Sequence, residues 1–494
     1  MAGLLDRVYP RMPVPVQDLM VSVRGYQLRR ERFGGSFRHY CAEFEATQWL
    51  PEAEHRQRQL EELRRLVAHA YENVPFYRER MKQAQVSPGD IDSLDALRLM
   101  PVVDRQDIKA YTKDFIDRRL DPSRLLCIHT SGTTGACLDL YYTPEERRKA
   151  YALSQRSLAW AGYQDGMRRA TFNVRPIVPI ARDRPPFSRV DWPSRTRLFS
   201  PFHLSPKNMP HYVREIREWG TQFIQAYPSH LWPVADYMVQ EGIQGLKLAG
   251  IATSSETLVP KLRSTLEQAF SCRVMDFYGM AEMAAFFSQC PEQTYHDFAE
   301  YAYVEFLDDA DQPVKPGTPG RIVATSFITW SMPLIRYNTR DLAVPSEDPE
   351  PCPCGRGLPK IRGLVGRTED LVVTPDGRRL GRFTWLFKDT PEIKQGQVIQ
   401  KALDRILIRV LPAGEFPPEL SEKLRAKCVK SLGDQVSVEV EVVSELARTA
   451  SGKFRAVVSE LPKNDLNWNA YGEITWDEEA VVGGGEGPSA PGNR

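Results

Sequence analysis

The heptad His129-Thr130-Ser131-Gly132-Thr133-Thr134-Gly135 carries residue types that suit phosphate. Gly132 and Gly135 let the backbone wrap tightly, and the hydroxyls of Ser131, Thr133 and Thr134 can donate to phosphate oxygens beside main-chain N–H groups. A P-loop would continue with Lys and then Ser or Thr, but here Ala136-Cys137-Leu138 follows. The cation that neutralises a polyphosphate must therefore come from elsewhere in the chain. The alternative is a Ser/Thr/Gly turn on the surface.

Three later segments offer the rest of a nucleotide site. Asp276-Phe277 leads into Tyr278-Gly279-Met280-Ala281-Glu282, where an aromatic face can stack on a purine and the glycine lets the backbone approach it. The Glu282 carboxylate can hold Mg2+ bridging phosphates. Ser254-Ser255-Glu256 closes an apolar run. Asp341 follows the aromatic run from Ile335 and can grip a ribose diol, with a salt bridge to Arg336 or Arg340 as the structural alternative. A core tyrosine and a solvated glutamate would explain the first of these segments seen alone.

Cys290, His296, Cys352 and Cys354 form a Cys-x5-His and a Cys-x-Cys set, and thiolates with imidazole suit a closed structural Zn2+ site. The spacing is not that of a standard finger, and thiols on loops are the alternative. Cys41, Cys127, Cys137, Cys272 and Cys428 read as structural.

The elements that must position these groups follow from periodicity. From Leu60, apolar residues at Leu63, Leu66, Val67, Ala70 and Tyr71 predict a helix that stops before Val74-Pro75. Pro144 to Trp160 reads as a helix, and Arg168 to Pro193 is ambiguous. Then come strand Phe223 to Tyr227, helix Ser229 to Gln240, strand Leu246 to Thr253, helix Val259 to Phe270 and strand Arg273 to Tyr278. Strand and helix in alternation with short links predict parallel strands in an α/β layered domain, with ligands at the strands' carboxyl ends. Further on, strand Ile406 to Leu411, helix Pro418 to Leu432 and strand Val436 to Val442 predict a small α+β domain of about 90 residues. The expected division is an extension at 1–55, a large domain at 56–368, a mobile small domain at 369–463, and a tail at 464–494 whose last part is disordered.

With 65 basic against 64 acidic residues, no nucleic-acid surface is expected. No apolar run approaches the roughly 20 residues that span a bilayer, and the N-terminus lacks a signal-peptide pattern, so a cytoplasmic protein without a membrane partner is expected. Eight scattered cysteines do not form a disulfide framework.

Taken in order, the Ser-Gly-Thr-Thr-Gly loop, Tyr278 to Glu282, Tyr337 to Asp341, Gly366-Arg367 and Ser451-Gly452-Lys453 resemble the adenylate-forming superfamily of acyl-CoA synthetases, peptide-synthetase adenylation domains and luciferases. Val74-Pro75-Phe76-Tyr77-Arg78, Leu99-Met100-Pro101, Ala226-Tyr227-Pro228-Ser229 and Cys352-Pro353-Cys354-Gly355-Arg356 look like its phenylacetate-CoA ligase and CapK-type branch. The resemblance spans about residues 55 to 462. It implies ATP and a carboxylic acid in the larger domain. Ser131, Thr133 and Thr134 would clasp the β- and γ-phosphates, Ser254, Ser255 and Glu256 would border the adenine beside Tyr278, and Glu282 would take Mg2+. Asp341 and Arg367 would hold the ribose. Lys453 would be the mobile cation, and Glu369 a hinge, although the family's acidic hinge residue corresponds to the pair Glu369-Asp370. The same resemblance implies CoA as acyl acceptor, with an amine or a carrier protein as alternatives and a non-catalytic nucleotide binder as the rival from another class. It leaves room for a homodimer. Tyr141, Tyr142, Ala226, Tyr227, Met280 and Phe286 are candidate walls for an aryl or acyl group, and core packing explains them equally well.

Overall fold

The computed structural model describes residues 8–129, 138–174, 176–256, 258, 260–308, 310–365, 372–376, 379–380, 383–387, 390, 392–446 and 456–461. Ser131 to Gly135, Arg367, Glu369 and Lys453, expected at the nucleotide site and hinge, lie outside the described residues. Four helices come first: α1 (Val14–Phe33), α2 (Phe37–Thr47), α3 (Glu52–Asn73) and α4 (Pro75–Gln83). Leu63, Leu66, Val67 and Ala70 form the buried face of α3. That helix begins earlier than its apolar period indicates, because its first turns are polar and held by Arg56–Glu52 and Arg58–Glu54 pairs at i,i+4. It stops at Asn73 because Val74 precedes Pro75, which instead opens α4.

Helix α5 (Arg105–Ala110) starts at a capping box made by Asp104 and Asp107. Strands β1 (Leu126–His129) and β2 (Asp139–Tyr142) pair antiparallel, with His129 opposite Asp139. Helix α6 (Pro144–Trp160) has the expected bounds and its own box, Thr143 with Glu146.

A 12-stranded sheet follows, built from β3 (Arg169–Phe172), β4 (Ser188–Asp191), β5 (Thr196–Phe199), β6 (Phe223–Ala226), β7 (Gly250–Ser254), β8 (Val274–Gly279), β9 (Phe286–Gln289), β10 (Tyr295–Asp297), β11 (Ala302–Leu307), β12 (Gly320–Ser326), β13 (Tyr337–Pro345) and β14 (Lys360–Val365). Helices α7 (Met209–Glu218), α8 (Pro228–Gln240) and α9 (Pro260–Phe270) connect its parallel strands. The spatial order is β11-β12-β13-β14-β10-β9-β8-β7-β6-β3-β5-β4. Neighbours β5-β3-β6-β7-β8 are parallel, as the alternation of strand and helix predicts. From β9 to β14 every pairing is antiparallel, a half of the sheet that the helical periodicity did not announce. The strand expected from Leu246 begins only at Gly250, where a Cβ would lie 1.9 Å from the Ala161 carbonyl oxygen. The ambiguous stretch contains β3 and β4. Ile224, Ile251 and Val274 pack with Leu231, Val234, Leu266 and Phe270 of the crossover helices.

A second unit comprises β15 (Val372–Val373), β16 (Arg379–Leu380), α10 (Thr384–Phe387), β17 (Ile393–Ala402), β18 (Arg405–Pro412), α11 (Pro418–Leu432), β19 (Ser437–Val442) and β20 (Val457–Ser459). Its four-stranded sheet runs β19-β18-β17-β20, with β17 and β18 antiparallel and the outer pairings parallel. Helix α11 ends at Gly433, whose φ of +109° suits glycine. Val398, Ile408, Val410 and Leu424 form its core, joined by Phe202 of the larger unit. The architecture is the expected one: a large α/β layered domain followed by a smaller α+β domain.

Candidate functional site

Parallel pairing aligns the carboxyl ends of β6, β7 and β8, which delivers Ala226-Tyr227, Ser254-Ser255-Glu256 and Tyr278-Gly279 to one end of the sheet. Asp341 arrives from β13. Three strands, β9, β10 and β14, lie between β8 and β13 in the sheet order. The sheet nevertheless curves enough for the Tyr278 hydroxyl to donate to Asp341 Oδ2 at 2.8 Å. The alternative partners for Asp341 are engaged elsewhere. Arg336 makes two 3.0 Å bonds to Glu305, and Arg340, held at φ +64°, bonds Asp104 Oδ1 at 2.7 and 3.1 Å.

Glu282 sits in the turn after β8 and accepts from Arg105 Nη1 at 3.1 Å. Its turn is pinned by the Tyr142 hydroxyl, which donates to the Ala281 carbonyl at 2.8 Å, and by Ser326, which donates to the Met283 carbonyl at 2.6 Å. Burial, then the Glu282 charge, pushes the Tyr142 and Tyr337 hydroxyls above the ordinary phenol range, so both stay neutral. Arg105 and Asp104 were missed as site residues. The signal was present: the capping box places both at the start of a helix, and the first residue of that helix is the arginine facing Glu282.

The other candidates are placed as follows. Glu256 accepts from Ser229 N–H at 2.9 Å and its hydroxyl at 2.8 Å, so it caps the first turn of α8. Ser254 and Ser255 are half-buried, and Ser255 is at φ +74°. Asp276 faces into the sheet, accepting from Thr253 and Tyr295 at 2.6 and 2.7 Å, and burial pushes its carboxyl up to about 6. Phe277 stacks on Phe286 at 5.6 Å, and Phe286 belongs to a buried cluster with Phe298. Ala226 and Tyr142 are buried, while Tyr141, Tyr227 and Met280 are half-buried. Gly279 and Ala281 are exposed at the strand end.

A separate knot lies at the far end of β9 and β10. The ligand atoms of Cys290, His296, Cys352 and Cys354 all fall within 4.8 Å of one another. Cys290 and Cys352 sulfurs are 3.7 Å apart, and Cys354 Sγ lies 3.4 Å from His296 Nε2. His296 Nδ1 is 3.0 Å from the Leu358 carbonyl, which can only accept, so Nδ1 carries the proton and Nε2 offers a lone pair to the knot. Burial, reinforced by the Cys354 charge, pushes Cys290 up. For Cys354 burial acts upward too, but hydrogen bonds from the Arg356 backbone and side chain hold this thiol down. Three sulfurs and one imidazole nitrogen converge there, and a divalent thiophilic ion is what this donor set fits.

Residues 372–460 match the CapK C-terminal domain family. Across 467 residues the chain is 23% identical to the protein CapK of Staphylococcus aureus, covering 93% of this chain and 100% of that one. It is 26% identical over 336 residues to a phenylacetate-coenzyme A ligase of Thermus thermophilus, covering 66% and 73% respectively. A phenylacetate-coenzyme A ligase of Pseudomonas putida is 25% identical over 423 residues, covering 83% and 86%. The solved structure of 2-hydroxyisobutyryl-CoA ligase in complex with 2-HIB-AMP and CoA aligns with TM-score 0.57 at 22% identity, covering 86% and 94%.

Proposed function

From its homology to CapK and the phenylacetate-CoA ligases, on the fold of the adenylate-forming CoA ligases, we propose that the chain is an AMP-forming ligase that joins a carboxylic acid to CoA. The observation that carries this reading is the 2.8 Å contact between Tyr278 at the end of β8 and Asp341 of β13, which sets an aromatic face suited to an adenine beside a carboxylate suited to a ribose. In the first half-reaction a carboxylate oxygen attacks the α-phosphorus of ATP, the bond to pyrophosphate breaks, and an acyl-adenylate forms. Tyr278 stacks the adenine, Asp341 accepts from the ribose hydroxyls, and Glu282 would hold a Mg2+ ion. That ion would supply positive charge against the triphosphate. Lys453 is assigned to the acid and α-phosphate, and Arg367 to the sugar. In the second half-reaction the CoA sulfur attacks the acyl carbon and AMP leaves, with the smaller unit turning about Glu369.

Supplying acids with ATP and trapping adenylates with hydroxylamine tests the reading. AMP and pyrophosphate must both appear, and a panel free of turnover rejects it. Lys453→Ala is expected to lower pyrophosphate exchange by about 10²-fold or more. A second reading is transfer of the acyl group to an amine or a carrier protein. Omitting CoA while supplying amines separates the two.

The Cys290, His296, Cys352 and Cys354 set is assigned to structural Zn2+, which would tie β9 and β10 to the loop before β14. About one equivalent of zinc is expected in purified protein, falling with Cys354→Ser; less than roughly a tenth of an equivalent rejects the assignment. Seven cysteines among the described residues lie outside any disulfide, three of them in this set.

A further inference from the structure

Helix α1 is amphipathic in the reverse sense. It covers β4, the edge strand of the large sheet, and it does so with polar groups. Asp18 accepts from the Val190 N–H at 3.0 Å, Ser22 donates to the Val190 carbonyl and accepts from the Trp192 N–H, both at 3.2 Å, and Gln17 accepts from Arg189 Nε at 2.6 Å. Gly25 is buried there because a Cβ would fall 2.2 Å from the Asp191 carboxylate. An edge strand offers unpaired N–H and C=O groups, so the inward face of its cover has to be polar.

Several apolar residues of α1 are therefore left on its outer side. Val16, Leu19, Val23 and Tyr26 are spaced at helical intervals along it, with Leu19 63%, Val23 51% and Tyr26 54% exposed, whereas Phe33 at the end packs on Phe37 and Tyr151. Trp192, beside the helix, is 62% exposed. The exposed charged side chains on α1 are Arg24, Arg29 and Arg30. Its two acids are occupied: Asp18 on the β4 backbone, and Glu31 on Arg147. Arg29 keeps a 3.8 Å solvent-exposed contact with Asp165.

We propose that the outer face of α1 docks on an anionic lipid surface. Apolar side chains would enter the headgroup boundary while the arginines reach back to anionic headgroups, and the nearby indole suits the same depth. No helix among the described residues is long and apolar enough to cross a membrane, and lying on its surface needs no such helix. Charge decides between occupants. A second copy would set three arginines against three more, whereas acidic phospholipids meet them with opposite charge.

The test is co-sedimentation of the full chain with vesicles of phosphatidylcholine alone or mixed with phosphatidylglycerol. Binding is expected only with phosphatidylglycerol and should weaken as salt rises. Each of Arg24→Gln, Arg29→Gln and Arg30→Gln should lower the partition coefficient roughly fivefold. Leu19→Ser with Val23→Ser should lower it roughly tenfold or more, with an unchanged melting curve and acid activation because these side chains are solvent-exposed. Wild-type protein that ignores phosphatidylglycerol vesicles at low salt overturns the proposal. So does a lipid-free dimer that the serine pair splits, which would make a second copy the occupant. Vesicle binding gained only on deleting residues 462–494 would identify that segment as the cover and overturn it likewise.

Discussion

Two arginine–glutamate pairs in the large domain are built to opposite specifications. Under the sheet, Arg156 grips Glu300 with both Nη atoms at 2.8 and 3.0 Å, donates to the Phe44 carbonyl, and lies 4.2 Å over the Phe298 ring. Glu300 also accepts from Thr47, and although burial acts upward on it, the Arg156 charge holds it down to about 2. At the strand ends, Glu282 accepts from Arg105 Nη1, and no other bond to this carboxylate occurs among the described residues. The first pair is bidentate, leaves only Arg156 Nε without a partner among the described residues, and knits α2, α6 and the segment before β11 together. The second leaves carboxylate lone pairs available to an incoming cation. The buried pair is held at several points, the one at the strand ends at a single point.

The comparison breaks first at the buried pair. Arg156→Ala strands a charged carboxylate in the core and should cost about 3–5 kcal/mol in urea unfolding, much of it recovered by adding Glu300→Gln. A loss under about 1 kcal/mol would show that the buried pair is no more structural than the one at the mouth.

Asp276 sharpens the contrast, because it is as buried as Glu300 but accepts from two hydroxyls instead of a guanidinium. Burial raises it from 3.8 to about 6, so the folded state binds a proton that the unfolded state has released. Its contribution to stability is full below 3.8 and is lost as pH rises through about 6. Asp276→Asn stays neutral throughout. Wild-type stability relative to this variant should therefore drop by about 2–3 kcal/mol between pH 4 and 7, at 1.36 kcal/mol per pKa unit. A difference that is flat with pH would mean the carboxyl is ionised in the folded protein.

How much of this was legible differs by region. The helices α6 and α11 could be read off period and proline placement, since each is bounded by a capping residue or proline in its own sequence, and the parallel strands β6 to β8 off their alternation with helices, whereas β3 and β5 could not. The antiparallel strands β9 to β14 could not. Strand β12 is buried along nearly its whole length and shows no alternation, and a lone apolar run does not declare its partner. At the site, residue type pointed to Tyr278, Asp341 and Glu282, because stacking, diol and cation chemistry each need a particular side chain. What sequence could not give was the pairing of Arg105 with Glu282, 177 residues apart, or the use of Glu256 as a cap on α8. Both depend on which strand ends meet in space.

The smallest expected effect bears most directly on exchange at the strand ends. If Arg105 is a resident cation that Mg2+ must displace from Glu282, Arg105→Ala removes the competitor. The Mg2+ concentration giving half-maximal pyrophosphate exchange should then fall roughly fivefold, the worth of one single-contact ion pair, while stability changes by about 1 kcal/mol. Arg105→Lys keeps a charge and should sit between the two. A higher Mg2+ requirement in the alanine variant would mean that the arginine works alongside the metal on the polyphosphate rather than in its place. The one-point contact would then be a joint in the catalytic machinery, not a placeholder, and the distinction between closed and exchangeable pairs would fail at the pair for which it was drawn.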